Sequence, residues 1–382
     1  MMSPPTKSTR TNFLATMERR PTSPLAKRLP PLVLGGAGFS NQCHPSPTQL
    51  PVAQVIKQAF DSGVRAIDTS PYYEPSEGLI GKALQSSEIT STYQREDYIL
   101  MTKVGRIAAE EFNYSRSWVR NSVERSLKRF ETTYLDVVFC HDIEYVNPSD
   151  VLEAVGELLE FVKEGKVKWV GVSSYRIDLL GQASRLGLER FGRPLDIVQN
   201  WGQLNLQNTR LAREGLSELE KAGVGVVLNA SPLNIGLLRA EGVPVGQLGD
   251  FHPAPRGLRT VVKDIADYVA GKGENLAALA LRYCLWQAEV LSSNALRVAT
   301  ITGISTPEQL GENLGAANIL LKNEDGAKKG LLGRKVDEQQ LAHDRPLYDE
   351  AQRIFRESGW MDYGFTSPDP LWDTETKKMR QS

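Results

Sequence analysis

Aspartate, tyrosine, lysine and histidine, held together, can pass a proton to and from a substrate oxygen. This sequence carries each of them where a short apolar run ends. VRAI leads into DTSPYYEPSE, with Asp68 at its head and Tyr73 five residues on. ILMTKVG carries Thr102-Lys103, and YLDVVFCHD carries Cys140-His141-Asp142. A free phenol has a pKa of about 10 and exchanges protons poorly at neutral pH. A neighbouring ammonium stabilises phenolate and lowers that value. A carboxylate bonded to the lysine would keep it charged and aimed, and an imidazole beside the phenol would orient a carbonyl or hydroxyl. Such a set suits proton exchange while a hydride moves to or from the adjacent carbon. Each residue also has a plainer use. A strand-exit aspartate caps the next helix, a lone lysine is a solvated surface charge, and a histidine is a satisfied structural residue. The chemistry depends on whether the fold gathers these ends.

The elements that would gather them alternate from Leu32 onward. PLVLGGAGF, VRAIDTS, DYILMTKVG, YLDVVFCHDI, VKWVGVSS, DIVQN, VGVVLNASPL and RVATITGIS read as strands, each followed by helical spacing. Gln49 to Ser62, for example, places Val52, Val55, Ile56, Ala59 and Phe60 on one face. SEGLIGKAL reads as a short helix capped by Ser76. Near-continuous apolar runs such as VGVVL fit strands buried on both faces of a parallel sheet. Strict alternation of strand and helix predicts an α/β fold. Eight units over about 290 residues predict a (β/α)8 TIM barrel, with its active site at the C-terminal strand ends. A doubly wound nucleotide-binding sheet would want G-x-G-x-x-G after the first strand. GGAGFS offers Gly35, Gly36 and Gly38 instead, without that spacing.

A barrel would add further polar strand exits to the set: Ser173-Ser174, Gln199-Asn200, Asn229 and Ser231-Pro232. Phe39 and Trp201 follow strand ends and are candidate substrate-pocket walls, with rim packing as the alternative. Residues 1–31 read as a disordered, basic, proline-interrupted leader, with six basic residues against Glu18 alone and no apolar core of a signal peptide. The barrel is expected over 32–321, and 322–382 as an extension packed on or near it. Its segment Pro346 to Glu357 reads as one more helix. Asn234 to Gly257, with five glycines and three prolines, is expected to be an irregular functional loop.

Composition narrows the partners. The 382 residues are 41% hydrophobic, and 45 basic against 46 acidic residues leave a net charge of −1. No basic stripe suits a polyanion, so no nucleic acid is expected. No apolar run nears the ~20 residues of a membrane span, so no membrane is expected. Three scattered cysteines suit a reducing compartment. The expected location is cytoplasmic, with a mitochondrial leader as the lesser alternative. No motif has metal-ligand spacing, so no metal is expected.

These motifs in order (DTSPYYEPSEGLIGKAL, ILMTKVG, VVFCHD, VKWVGVSSY, VQN, SPLNIGLL and TGISTPEQLGENL) resemble the aldo-keto reductases over about 32–318. The resemblance implies a (β/α)8 barrel, a nicotinamide cofactor and a catalytic tetrad at Asp68, Tyr73, Lys103 and His141. It also implies that Tyr73 and His141, with Phe39 and Trp201, meet the substrate. It places Ser173, Ser174 and Gln199 at the nicotinamide amide, and Ser231, Leu233, Gly236 and Leu237 over the pyrophosphate. Ala230 stands where many relatives stack a tyrosine on the ring. Gly303 and Gln309 stand where relatives that prefer NADP place cations around the 2′-phosphate, and Asn313 faces the adenine end. Bidentate cations are what favour a phosphate, so NAD is expected over NADP. NASPL, FHPAPRGLR and ENLAALALRYCLW resemble the sugar-dehydrogenase branch. That implies oxidation, at C1, of an aldose of the D-arabinose or L-galactose type to its lactone, by a monomer or weak homodimer. The alternatives are an NADPH-dependent aldehyde or ketone reductase and a non-catalytic nicotinamide-binding regulatory subunit.

Overall fold

A computed structural model describes residues 23–243, 252–323, 330–365, 367 and 371–380. Eight parallel strands close into a barrel: β1 (Leu32–Gly35), β2 (Ala66–Asp68), β3 (Ile99–Val104), β4 (Leu135–Cys140), β5 (Val167–Ser174), β6 (Ile197–Trp201), β7 (Val226–Ala230) and β8 (Arg297–Gly303). They pair in chain order, and β8 returns to β1. The expected barrel is the observed one.

Closure explains the apolar runs. Successive side chains on a strand alternate between the barrel interior and the surrounding helices. Ile99 and Met101 of β3, Val137 and Phe139 of β4, and Val226, Leu228 and Ala230 of β7 fill the interior. Leu100, Val104 and Val138 pack outward under the helices. Both environments are dry, so both sets are apolar. Extending the inward phase by one step reaches Asp68 after Ala66, Lys103 after Met101 and His141 after Phe139. Register levels the ends: Gly35 is opposite both Asp68 and Gly303, Ser173 opposite Gln199, and Trp201 opposite Ala230. The glycines of GGAGF serve this closure. A Cβ on Gly38 would lie 2.3 Å from the Ile304 carbonyl oxygen, so the loop after β1 rests directly on the chain leaving β8.

Four expectations about elements are corrected. Residues 1–22 of the leader lie outside the described residues, but Pro24–Arg28 is a helix with proline at its first turn. Leu25, Ala26 and Leu29 are buried with the interior residues of the barrel. They close the barrel end opposite the C-terminal strand ends, where apolar interior side chains would otherwise meet water. Ser76 does not cap its helix. It begins the helix after Pro75, and its buried hydroxyl donates to the Gly36 carbonyl at 2.8 Å and meets Thr69 Oγ1 at 2.8 Å. Of the loop 234–257, residues 244–251 lie outside the described ones, and helix Arg256–Gly271 takes its last two positions. The late helix runs Glu338–Glu357, straight through Pro346. Asp337 caps it by accepting from Gln339 and Gln340 N–H groups. Arg282 and Asp344, 2.6 Å apart, tie its first half to helix Leu276–Leu291. That anchoring offsets a proline cost of about 3 kcal/mol.

Beyond this helix the chain turns back over the C-terminal strand ends. Asp362 accepts from Thr209 N–H at 2.7 Å, Phe365 lies 6.0 Å from the Trp201 ring, and Trp372 donates to the Tyr145 carbonyl at 2.9 Å.

Leu29→Ala will test the plug. Leu29 has no exposed surface, and truncating a fully buried leucine costs about 2–5 kcal/mol. Urea unfolding should show that loss. A change under about 0.5 kcal/mol, the range of a surface substitution, would mean that the segment is not held in the barrel.

Candidate active site

The inward positions converge where the strands end. Lys103 Nζ donates to Asp68 Oδ2 at 2.7 Å and to the Thr69 carbonyl at 2.9 Å, with both side chains buried. Tyr73 rides the loop after β2, pinned by its N–H on the Ser70 carbonyl at 3.0 Å and by Ser76 N–H on its own carbonyl at 2.7 Å. The phenol oxygen stands 3.4 Å from His141 Nε2. His141 follows β4, and its N–H donates to the Val104 carbonyl at 2.9 Å. Ser70 Oγ accepts from Tyr72 N–H at 3.1 Å and lies 3.0 Å from His141 Nδ1. The other ring nitrogen, Nε2, faces the Asp142 carboxylate at 3.6 Å and the Tyr73 oxygen at 3.4 Å, so we assign the ring proton to Nε2 and the Ser70 hydroxyl as the donor to Nδ1. The structure brings all four residues of the expected tetrad together.

Their electrostatics differ from expectation in one respect. Burial, then the charges of Lys103 and Arg106, hold His141 well below the usual imidazole range, so it is neutral. Burial pushes the Asp68 carboxyl up, and Lys103 opposes that push. The Tyr73 phenol was expected to be lowered by Lys103. It is instead raised well above 10, by burial first and then by the negative charges of Asp142 and Asp68. The reason is geometric: the ammonium lies 5.2 Å from the Tyr73 ring centre and is committed to Asp68 and Thr69. The resting form is the protonated phenol, a proton donor.

The expected cofactor residues line the same rim. Gln199 donates to Asp68 Oδ2 at 3.4 Å, while its carbonyl oxygen is buried without a partner, as is Asn200 Oδ1. A buried carbonyl left open costs about 1–3 kcal/mol, and a carboxamide N–H would satisfy it. This donor set fits a nicotinamide amide. Ser173 Oγ accepts from Asp142 N–H at 3.1 Å, and Ser174 Oγ from Arg176 N–H at 2.9 Å. Ser231 Oγ accepts from Ile235 N–H at 2.9 Å and starts a tight turn. There Gly236 has φ 84°, a left-handed conformation that suits glycine. Leu237 is buried and Leu233 partly so, both in the apolar cluster outside the barrel. Gly303 is exposed with open space around its Cα. Gln309 is half-buried; its N–H donates to the helix cap Thr306 at 3.3 Å, and its amide oxygen accepts from Ser305 N–H at 2.8 Å. Asn313 donates to Thr302 Oγ1 at 3.4 Å.

Of the two candidate pocket walls, one is corrected. Phe39 has no exposed surface and belongs to the core beneath the helices. The short helix Gly36–Phe39 turns its ring inward. Trp201 keeps partial exposure, and its ring lies 4.6 Å from the Tyr175 ring at a tilt of 36°.

Four functional neighbours escaped the sequence reading. Ser70 orients the imidazole. Tyr114 donates its hydroxyl to the His141 carbonyl. Glu77 accepts from Thr102 at 2.6 Å, Ser126 at 2.8 Å and Arg129 at 3.0 Å, fastening β3 to two helices. Arg106 pairs with Asp142 beside His141. The only signal for the last was the charge in KVGR and CHD. Glu274, His343 and Asp344 come within 4.8 Å of one another, but Arg282 bonds both carboxylates at 2.6–2.8 Å and takes the place of an ion. Among the described residues no helix is long and apolar enough to cross a membrane.

Comparison with known proteins agrees with this geometry. The Aldo/keto reductase family model matches residues 31–328. D-arabinose 1-dehydrogenase of Saccharomyces cerevisiae is 40% identical over 301 residues, covering 77% of this chain and 84% of its own. L-galactose dehydrogenase of Arabidopsis thaliana is 32% identical over 269 residues, 69% of this chain and 77% of its own. A protein named probable aldo-keto reductase 1 of Glycine max is 30% identical over 288 residues, 71% and 76% of the two chains.

The buried pair predicts a double-mutant cycle. Lys103→Met and Asp68→Asn should each destabilise by about 3–5 kcal/mol, since each strands its partner. The double variant should cost less than the sum by about 0.5–3 kcal/mol. Additive losses in chemical denaturation would show that the two charges do not depend on each other.

Proposed function

Because the chain belongs to the aldo/keto reductase family, we propose that it oxidises an aldose of the D-arabinose or L-galactose type at C1 to the lactone, using NAD. Family membership makes it an oxidoreductase of CH–OH or aldehyde groups that works with a nicotinamide cofactor. The relatives named for arabinose and galactose oxidation support the sugar and the position. The observation that carries the reading is the Lys103–Asp68 pair, 2.7 Å apart beneath Tyr73, with His141 3.4 Å from the phenol.

The nicotinamide, when bound, accepts the hydride from C1. The residues here handle the oxygen. His141 donates from Nε2 to the C1 oxygen and fixes its direction. Tyr73 takes the C1 hydroxyl proton in oxidation and returns it in reduction. The C1–H and O–H bonds break, C1=O forms, and the ring oxygen stays in place, so the product is the lactone. Asp68 and Lys103 fix the floor under the phenol. Ser173, Ser174 and Gln199 would hold the carboxamide, and the turn from Ser231 through Leu233 and Gly236 to Leu237 the pyrophosphate. Asn313 would face the adenine. The open space at Gly303 and the neutral Gln309, its amide oxygen held by Ser305, support NAD, because neither offers a cation to a 2′-phosphate. The raised phenol favours a second reading, reduction of an aldehyde or ketone with NADPH, because the proton donor is the resting form.

One assay separates the two. D-arabinose, L-galactose, L-fucose and D-glucose are offered with NAD+ and with NADP+, and a simple aldehyde with NADH and NADPH. Turnover of arabinose or galactose with NAD+ is expected. Silence with every sugar, with fast NADPH-dependent reduction of the aldehyde, would make the enzyme a reductase.

Tyr73→Phe should lower kcat at least about a hundredfold in either direction, with NADH still quenching tryptophan fluorescence. In the unmodified enzyme, oxidation needs the phenolate and reduction the phenol. With the phenol pKa raised, kcat/KM for oxidation should climb with pH through the alkaline range, while that for reduction stays level from pH 6 to 9. A shared inflection on the acid side of the usual imidazole range would instead assign the proton to His141.

A further inference from the structure

One ion pair at the rim carries none of the transferred protons. Asp142 directly follows His141, and its Oδ2 lies 3.6 Å from His141 Nε2 and pairs with Arg106 Nη1. The two side chains are 8% and 11% exposed, a narrow opening onto the centre that holds Tyr73. Among the described residues Arg106 supplies the one side-chain hydrogen bond to this carboxylate, through Oδ2, and Oδ1 accepts none. Burying such a pair carries a desolvation cost that its attraction seldom exceeds, so stability alone does not account for it.

The pair is also held in advance. Arg106 Nε and Nη2 donate to the carbonyls of Ala108 and Ala109 at 3.3 and 3.1 Å. Its guanidinium lies 4.3 Å from the Tyr72 ring centre, 5.4 Å from Phe112 and 5.2 Å from Tyr145. Asp142 adopts φ 56° and ψ 64°, a left-handed conformation rare outside glycine, and its N–H is anchored on Ser173 Oγ at 3.1 Å. Strain of this kind persists where its surroundings over-determine it, and gathers at ligand-binding positions.

We propose that Arg106 and Asp142 form a hydroxyl-recognition subsite that binds the diol next to the reacting carbon of a polyhydroxylated substrate. The inference rests on the sugar reading and names the groups that would select the sugar. Its chemistry follows from the pair. A hydroxyl both donates and accepts, so one hydroxyl donates to the free Asp142 oxygen while its neighbour accepts from the Arg106 fork. An alkyl chain would exclude water from the pair and leave the free Asp142 oxygen without a donor. An anionic substituent would meet Asp142, and a cationic one Arg106. Neutral adjacent hydroxyls satisfy both. Because both side chains are already fixed, little ordering cost falls on binding.

The test couples a change in the enzyme to a change in the substrate. Kcat/KM is measured for an aldose and its 2-deoxy analogue in the unmodified enzyme, in Asp142→Asn and in Arg106→Lys, which keeps the charge but loses the fork. In reduction, glyceraldehyde is compared with propanal. Absolute rates will shift in the variants, since Asp142 faces Tyr73, so the readout is the ratio within each pair. The unmodified enzyme should prefer the hydroxylated member by roughly ten- to a hundredfold, the range of a hydrogen bond to a charged group. That preference should largely collapse in both variants, with NADH fluorescence quenching intact. An equal preference in all three proteins would overturn the subsite. If no aldose is oxidised, the sugar reading fails, and the ratio of glyceraldehyde to propanal still decides the role of the pair.

Discussion

A lysine and an aspartate are buried almost completely at the ends of adjacent strands, 2.7 Å apart. Neither charge could stay there alone, because an unpaired ion in such a place costs several kcal/mol. The pair therefore fixes how far β3 runs past the end of β2, and the register holds Asp68 opposite Met101, two residues before Lys103. Much else follows from that demand. The loop leaving Asp68 carries Thr69, whose carbonyl takes a second lysine proton, and Ser70, whose hydroxyl sets the imidazole. Tyr73 is then delivered over the pair, and Glu77 fastens the same loop to β3 through Thr102.

Much of this was legible in the sequence because it rests on period. Alternation along a closed barrel is a property of the strand itself, so Ala66 and Asp68, Met101 and Lys103, Phe139 and His141 could be phased without knowing any neighbour. The family motifs then joined the strand ends. What could not be read depends on which residues meet across the rim. Arg106 and Asp142 are 36 residues apart, and no local pattern joins them. The Tyr73 shift was misjudged for the same reason: the lysine was counted as the phenol's neighbour, while Asp68 and Thr69 hold it, and burial and the charge of Asp142 raise the phenol. Phe39 failed through a local detail, since one turn of 3-10 helix after β1 reverses the side on which a ring points. The plug was hidden by a leader whose composition resembles disorder up to Pro24, where three apolar positions, Leu25, Ala26 and Leu29, suffice to cover the barrel floor.

The two ion pairs divide the site by depth. Lys103–Asp68 is sealed, with its hydrogen bonds directed to the loop and to Gln199. It sets geometry and keeps water from the underside of the phenol. Arg106–Asp142 is open by a small margin and stands beside the imidazole. A charge there acts on the reaction in two ways at once. Asp142 raises the Tyr73 phenol and Arg106 lowers it, so a substrate that engages the pair also alters the field at the proton carrier. Hydroxyl donation to Asp142 would spread its negative charge and ease the phenol toward ionisation, the form that oxidation needs. Recognition of the sugar and activation of its C1 hydroxyl would then share one interaction. In the proposed oxidation that coupling would give a raised phenol its use: the resting acid would become a base only beside a substrate rich in hydroxyls.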